Sequence, residues 1–198
     1  MLLGGSYLVE AVAGMTGDRK RGWWEEYREI LPSALLDLAE VEHHAVRLRT
    51  AITVHIPGLL QTTDHARELF RQVVPDLSPP DIEHRVSFRI KRQTVILRDP
   101  PTPYLALIHD AALRMQFGGP AITRAHLRHL LEMSEQDHIT IKVLPFAAGG
   151  FPGSGQSIFY SSFYSSGPVP QLDTVHLDQS HGPVFLDAEA QLNKYRDL

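Results

Sequence analysis

Four short apolar stretches follow one another in the second half of the chain: ITIKVL at residues 139–144, SIFYSSFY at 157–164, TVHL at 174–177 and PVFL at 183–186. β-Branched and aromatic residues dominate them, and segments rich in glycine, proline or serine separate them, which is typical of β-strands. We expect these stretches to form a mostly antiparallel sheet meander.

Helical patterns dominate the first half. Ser33 can cap a helix whose apolar residues recur at a spacing of three to four. Ser78, followed by two prolines and Asp81, predicts a second helix start, and we expect that helix to reach about Leu97, with Leu97 directed inward. We expect two further helices, at 63–74 and 123–134, and Leu131 should point inward from the second. We expect two further strands, at 52–56 and 104–108.

Helices first and strands later predict an α+β fold, with N-terminal helices followed by a mostly antiparallel sheet meander with packed helices. Glycines interrupt residues 1–22, so we expect a remnant or linker there. Residues 23–198 are expected to form a single α+β domain.

Composition narrows the functional classes. The 198 residues are 43% apolar and 21% charged, include no cysteine and carry a formal net charge of −4. This excludes a disordered chain, a disulfide scaffold and a thiolate metal site. No apolar run has the roughly 18 residues of a membrane helix, and the first residues lack the basic start of a secretory signal. We therefore expect a cytoplasmic protein with no membrane association and, given the acidity, no direct nucleic-acid binding.

Eleven histidines are a high share for this length. His126 and His129 stand at i and i+3, but no cysteine or HExxH frame accompanies them. We expect exposed helix histidines, no metal site and no cofactor.

Arg85, Arg89 and Arg92 share one face of the helix after Ser78, opposite its apolar stripe. Such a face can grip an anionic ligand, an acidic partner surface or a phosphate. It can equally be a solvated face, or pair with neighbouring carboxylates.

Trp23, Trp24 and Tyr27 form an aromatic cluster in which one tryptophan is expected in the core and the other at a pocket or interface. For catalysis, the chain has no GxSxG elbow and no phosphate loop, and its aspartates, Asp178 among them, are scattered. The glycine-rich segment 147–155 is interpreted as a mobile loop beside a pocket.

Several of these segments together resemble the C-terminal domain of actinobacterial XRE-type helix-turn-helix regulators, the antitoxin-like transcriptional regulators common in Streptomyces. The resemblance covers about residues 23–195 and is most specific in PGLLQT at 57–62 and in Arg92-Gln93. The other residues that carry it are Trp23, Trp24, Tyr27, Glu42, Ala45, Ala66, Arg89, Ala111, Ala112, Leu113, Gly118, Gly149, Gly153 and VLPF at 143–146.

The resemblance implies an effector domain, meaning a sensor, dimerisation or partner-binding unit attached to a DNA reader. A small molecule, a small partner protein or a second copy in a homodimer would be its partner, and binding would change the DNA affinity of the reader. The 22 residues before Trp23 are too few for a helix-turn-helix module, so this chain is not expected to bind DNA by itself. His65 stands where such domains usually have tyrosine, and Asp110 and Asp178 where they have glutamate.

The leading hypothesis is therefore a ligand- or partner-binding effector domain. Its expected site residues are Trp23, Trp24, Tyr27, Gln61, Arg89, Arg92, Asp110, Phe146 and Phe151. The alternative is an enzyme recruited to natural-product biosynthesis, such as a cyclase that shapes a reactive intermediate in an apolar pocket. Its polar candidates are His65, His109, Asp110 and Tyr160. A third hypothesis is a dimerisation unit without a ligand.

Overall fold

The computed structural model describes residues 22–149, 155–163, 173–178 and 184–196. The predicted remnant therefore lies outside the described residues except for Gly22. The helices are a 3-10 helix at Trp23–Tyr27, α1 at Ser33–His44, α2 at Thr63–Phe70, α3 at Pro79–Arg92, α4 at Thr94–Leu97, α5 at Asp110–Arg114, α6 at Gly119–Ser134 and α7 at Glu189–Leu192. Short 3-10 turns lie at Gly58–Leu60 and Phe146–Ala148. The strands are β1 at Arg47–Ile52, β2 at Tyr104–His109, β3 at Ile139–Leu144, β4 at Ser157–Ser162, β5 at Thr174–Asp178 and β6 at Val184–Leu186.

The six strands form one sheet in the order β3-β2-β1-β4-β5-β6. The β1–β2 and β2–β3 pairs are parallel and form one half of the sheet. The β1–β4, β4–β5 and β5–β6 pairs are antiparallel. The parallel half follows from the helices that lie between β1, β2 and β3, because parallel strands need long crossovers. The predicted α+β fold with a mostly antiparallel sheet is confirmed.

Helices cover the sheet unequally. Leu48, Tyr104 and Ile139 belong to a core cluster between the sheet and the helices. Ala51 and Ile158 point to the opposite face, where Leu192 of the short α7 covers them. Odd and even residues of β1 thus serve different cores, as the two-residue period of a strand requires.

The sequence-based bounds of several elements are wrong, and the helix expected at 123–134 begins four residues earlier, at Gly119. The strand expected at 52–56 ends at Ile52, because residues 53–57 leave the sheet and lead into the turn Gly58–Leu60. The helix expected to end at Val74 ends at Phe70. The helix expected to reach Leu97 is interrupted at Gln93.

Two leucines that the sequence predicts to point inward are exposed in the structure. Leu97 is 61% exposed, because Val95 and Ile96 take the buried positions after the interruption. Leu131 is 67% exposed, because the buried stripe of α6 is formed by His126, Leu130 and Met133.

The start of α3 agrees with the prediction. The Oγ atom of Ser78 accepts a hydrogen bond from the backbone N–H of Asp81 (3.3 Å), and two prolines occupy the first turn. α3 then packs against α1, α2 and the turn Gly58–Leu60. This packing places Arg89 and Arg92 between the helices and the sheet.

Candidate functional site

A cavity of about 430 Å³ lies on the helix-covered face of the sheet. This volume falls within the range of about 300–1,000 Å³ that small-molecule sites occupy. Its walls combine apolar and polar side chains, and the apolar ones include Leu35, Leu38, Ile52, Ile56, Leu69, Phe70, Phe117 and Phe159. Its polar lining includes His55, Gln61, Gln72, Arg89, Arg92, Ser157, His176 and Asp178.

Arg89 places an unpaired guanidinium in this cavity. Its Nη1 donates to Oε1 of Gln61 (2.8 Å), and its Cζ lies 4.4 Å from the centre of the Phe70 ring. Within the described residues it makes no ion pair, and its Nε and Nη2 atoms make no hydrogen bond. Burial, and then the charge of Arg92, lower the pKa of Arg89 to about 9, so it remains a cation at neutral pH. An edge of this guanidinium is therefore open to a ligand.

The two most specific sequence motifs, PGLLQT at 57–62 and Arg92-Gln93, hold the Arg89 side chain in place. The side-chain amide of the buried Gln61 donates to the carbonyl of Ile56 (2.6 Å), which leaves its Oε1 atom directed at Arg89. The amide of Gln93 donates to the backbone carbonyls of Gln61 (2.6 Å) and Gly58 (3.2 Å). A Cβ atom on Gly58 would lie 3.6 Å from Nε of Arg89, so the turn backbone closely approaches that side chain. PGLLQT and Arg92-Gln93 thus build one hydrogen-bonded unit.

Arg92 is held by a different partner. Its Nε and Nη2 atoms donate to the two carboxylate oxygens of Glu42 (2.8 and 2.6 Å), and both side chains are 6% exposed. Burial alone would lower the pKa of Arg92, but the charge and hydrogen bonds of Glu42 outweigh it and raise the pKa. The solvated-face interpretation is therefore wrong for Arg92, which is buried against Glu42 of α1, whereas Arg89 is partly buried and packs against Gln61 and Phe70.

The sheet contributes a stacked trio of rings. His176 lies between Phe159 and Phe185, with ring centres 5.0 Å away on both sides and near-parallel planes. Burial, and then the charge of Arg92, lower the pKa of His176 to about 3. The imidazole is therefore neutral and serves as a flat wall of the cavity.

The rim of the cavity carries His55 and Asp178. His55 lies 5.5 Å from the ring of Phe117, and burial together with the charge of Arg89 lowers its pKa. Asp178 ends β5 and is exposed, and its carboxylate makes neither an ion pair nor a hydrogen bond within the described part of the chain. The cavity therefore has a cation inside and an anion at its mouth, neither of which pairs with another described residue.

A family model described as a domain of unknown function, DUF5753, matches residues 35–198. The chain belongs to this family. No curated protein and no solved structure matches it. The matched range includes the three site residues that sequence analysis also selected, Gln61, Arg89 and Arg92.

A pair of stacked histidines, His65 and His126, lies beside the cavity. The rings of His65 and His126 stack at 4.0 Å, and His65 meets Phe117 edge-on at 5.7 Å. Both histidines are buried, so the expectation of exposed helix histidines is wrong for His126, whose position belongs to the inward stripe of α6. Among the described residues no group of three or more histidine, aspartate or glutamate side chains is arranged to hold a metal ion.

The other binding candidates lie away from the cavity, and Trp23, Trp24 and Tyr27 precede the residues that the family model matches. Trp23, Trp24 and Tyr27 pack with Phe88 into a separate core under α1 and α3. Tyr27 also hydrogen-bonds to Ser87 through its hydroxyl group (2.9 Å). These rings support the helices that carry the site and do not line the cavity.

Asp110 and Phe146 lie at the carboxyl end of β2. Asp110 pairs with Arg114 (2.9 Å) in α5. Phe146 is 60% exposed and packs edge-on against His109 (4.8 Å). Neither lines the cavity, and Phe151 lies outside the described residues.

The four polar candidates for catalysis are not brought together. His65 belongs to the histidine stack, while His109 caps α5 by accepting the backbone N–H of Ala111 (3.1 Å). Tyr160 lies on the opposite face of the sheet and donates to Asp173 (2.7 Å). Asp110 pairs with Arg114, as described above.

Sequence reasoning missed most of the lining contributed by the sheet: Phe159, His176 and Asp178. The signal was present in the alternation, since Ser157 and Phe159 of β4 and His176 and Asp178 of β5 point to one face. Predicting these cavity residues from the alternation would also require the register between β4 and β5, which the sequence alone does not define.

Among the described residues, no helix combines the length and the apolar character that crossing a bilayer would require.

Proposed function

We propose that this domain is a small-molecule-binding effector domain, and that it holds an anionic or carbonyl-bearing group of its ligand on Arg89. The observation that carries the proposal is the guanidinium of Arg89, which makes no ion pair within the described residues and lines a cavity of about 430 Å³ that has several aromatic and aliphatic walls. Apolar walls with a few convergent polar groups are the usual make-up of a small-molecule site.

The energetics support an anionic group. A charge removed from water is costly unless it is paired, and among the described residues the direct contacts that stabilise the Arg89 cation are the Gln61 oxygen and the Phe70 ring. A carboxylate can accept two parallel hydrogen bonds from an arginine edge, which is among the strongest polar contacts in proteins. Binding such a group would therefore relieve the cost of this partly buried cation.

The regulator setting of the proposal rests on the resemblance to helix-turn-helix regulators. In this proposal the domain acts in the cytoplasm, and ligand binding changes the DNA affinity of a reader to which the domain is coupled. A small partner protein could be a further participant on the outer surface.

A physical route for that coupling starts at Arg89. Its neighbour Phe88 packs against Trp23 (5.2 Å) and Tyr27 (5.0 Å) at the N-terminal end of the described chain. A shift of α3 on ligand binding would therefore move the aromatic cluster on the side of the chain where such regulators carry their reader.

The test is calorimetric titration of straight-chain carboxylates of six, eight and ten carbons into three proteins. We expect the wild type to bind at least one of them, and Arg89→Gln to weaken binding at least about tenfold, since hydrogen bonds to charged groups contribute about 1.5–3 kcal/mol. Arg85→Gln is the matched control, because Arg85 lies one turn earlier on α3, outside the cavity lining. Equal binding by Arg89→Gln and the wild type would overturn the proposal.

A further inference from the structure

Asp178 and Arg89 are two opposite charges that line one cavity without pairing. Within the described residues neither makes an ion pair, with the other or with any further side chain. Their charges still interact across the cavity, because Asp178 raises the pKa of Arg89 against the stronger effect of burial. The cavity is therefore polarised, with its positive charge among the helices and its negative charge at the end of β5.

The other charged groups of the cavity do not alter this polarity. The charge of Arg92 is matched by Glu42 in a two-hydrogen-bond pair. His176 is neutral near pH 7, because burial, and then the charge of Arg92, lower its pKa to about 3. The pKa of His55 is lowered as well, by burial and by Arg89. Arg89 and Asp178 remain as a cation and an anion without a charged partner among the residues that the structure describes.

We propose that the ligand is amphoteric, with a carboxylate that pairs with Arg89 and an amine that lies near Asp178. Its connecting part is apolar, because Phe70, Phe117 and Phe159 line the same cavity as the two charges. This inference rests on the proposed function and specifies the ligand class of the same site. A simple carboxylate would gain the contact to Arg89 but would meet the field of Asp178 without compensation.

Asp178 should act as a selectivity residue. Because its side chain is exposed, its ion pair with an amine is expected to change affinity about two- to fivefold, as for solvent-accessible pairs. Arg89, which lies deeper, should account for the larger part of the affinity. Removal of Asp178 should therefore abolish the preference for the amine and strengthen binding of the simple carboxylate.

The experiment compares ω-aminoalkanoates of six, eight and ten carbons with alkanoates of the same length, by calorimetric titration at low salt. For the wild type we expect at least one aminoalkanoate to bind about two- to fivefold more tightly than its matched alkanoate. Asp178→Asn should bind the two alike. Asp64→Asn is the control for the change in net charge, because Asp64 pairs with Arg67 outside the cavity lining and its replacement should keep the preference.

The outcomes separate the two proposals. If alkanoates bind through Arg89 but no aminoalkanoate is preferred, or if Asp178→Asn keeps the preference, the amphoteric ligand is overturned and the proposed function stands. If no compound of either series binds to the wild type, the proposed function is overturned, and this inference with it.

Discussion

His176 lies between Phe159 and Phe185 because the three residues occupy directly opposite positions on β4, β5 and β6. His65 and His126 form a similar stack between two helices. The histidine excess in the composition is thus partly explained by packing, since the buried rings act as flat, neutral aromatic surfaces. Sequence spacing could not show this, because each stacking partner comes from a different element.

The buried histidine stack predicts a loss of stability in mild acid. Burial lowers the pKa of His65 to about 4 and, with the charge of His65, that of His126 to about 3, whereas both titrate near 6.5 when unfolded. As the pH falls from 6.5 towards 4, the unfolded chain takes up protons that the folded chain does not. The free energy of unfolding is therefore highest above pH 6.5, and each of the two rings lowers it by roughly 2 kcal/mol at pH 5.

Urea unfolding at pH 7.5 and 5.0 measures this effect. His65→Phe, which keeps a flat ring against Phe117, should lose less stability between the two pH values than the wild type. His138→Gln is the control, because the His138 imidazole is hydrogen-bonded to the Ile96 carbonyl (2.7 Å) and lies outside the stack. The same pH dependence in all three proteins would contradict the prediction.

The buried pair of Glu42 and Arg92 should be essential for stability. Glu42→Gln leaves the cation of Arg92 buried without a counter-charge, so the free energy of unfolding should fall by about 3–5 kcal/mol. Urea unfolding at pH 7.5 measures the change. Glu83→Gln removes one partner of the exposed Arg67–Glu83 pair and should change the free energy by about 1 kcal/mol or less. Similar effects of the two variants would show that Arg92 is not held as the structure describes.

At the scale of elements, the turn Gly58–Leu60 and the interruption between α3 and α4 form one unit. The Gln93 amide at the interruption donates to two carbonyls of that turn segment, those of Gly58 and Gln61. This explains why the helix expected to reach Leu97 stops early: Gln93 is directed at the turn, and Val95 and Ile96 are buried after it.

Replacement of Gln93 should therefore affect both stability and binding. Gln93→Ala removes the amide donor from the Gln61 carbonyl and leaves the Gly58 carbonyl with only the long bond from the Gln61 backbone N–H (3.4 Å), so we expect a loss of about 1–3 kcal/mol in urea unfolding. Weaker carboxylate binding should accompany it, because Gln61 no longer holds Arg89 in place. Thr94→Ala, which removes an exposed hydrogen bond to the Lys91 carbonyl, should change stability by about 0.5 kcal/mol or less and leave binding unchanged. If Gln93→Ala behaves like Thr94→Ala, the turn does not depend on Gln93.

Element positions followed from the sequence where local signals were strong. The cap of α3 at Ser78, β2 and β3 agree with prediction because capping chemistry and β-branched alternation are local properties. The prediction for β1 began too late in the sequence, because Arg47 and Arg49 make the first half of the strand look polar although its other face is buried. The inward position of His126 was missed because Leu131 is the more apolar residue, yet the packing of α6 leaves Leu131 exposed.

At the scale of the whole molecule, the cavity lies where the parallel half of the sheet meets the antiparallel half. Ile52 ends β1, which pairs with β2 in parallel and with β4 antiparallel, and β4 and β5 add Phe159, His176 and Asp178. Residues more than 80 positions apart therefore build one site. The motifs predicted the arginine side of it, whereas the sheet side depends on strand register and could not be predicted.

The packing of α3 on the aromatic cluster predicts an optical signal for binding. The chain has only two tryptophans, Trp23 and Trp24, and Trp23 contacts Phe88 beside Arg89. If ligand binding moves α3, saturation with octanoate should change the tryptophan emission of the wild type but not that of Arg89→Gln at the same concentration. Unchanged emission at a concentration that calorimetry shows to be saturating would contradict the proposed coupling route.

The central claim is that a ligand carboxylate contacts the guanidinium of Arg89. The most direct measurement is the ¹H–¹⁵N spectrum of the arginine Nε–H groups during a titration with octanoate, with the Arg89 signal assigned from an Arg89→Lys variant. We predict a saturable shift of the Arg89 signal, while the signal of Arg85 on the same helix stays in place. A titration in which the Arg89 signal does not move, or in which only the exposed arginines respond, would contradict the account.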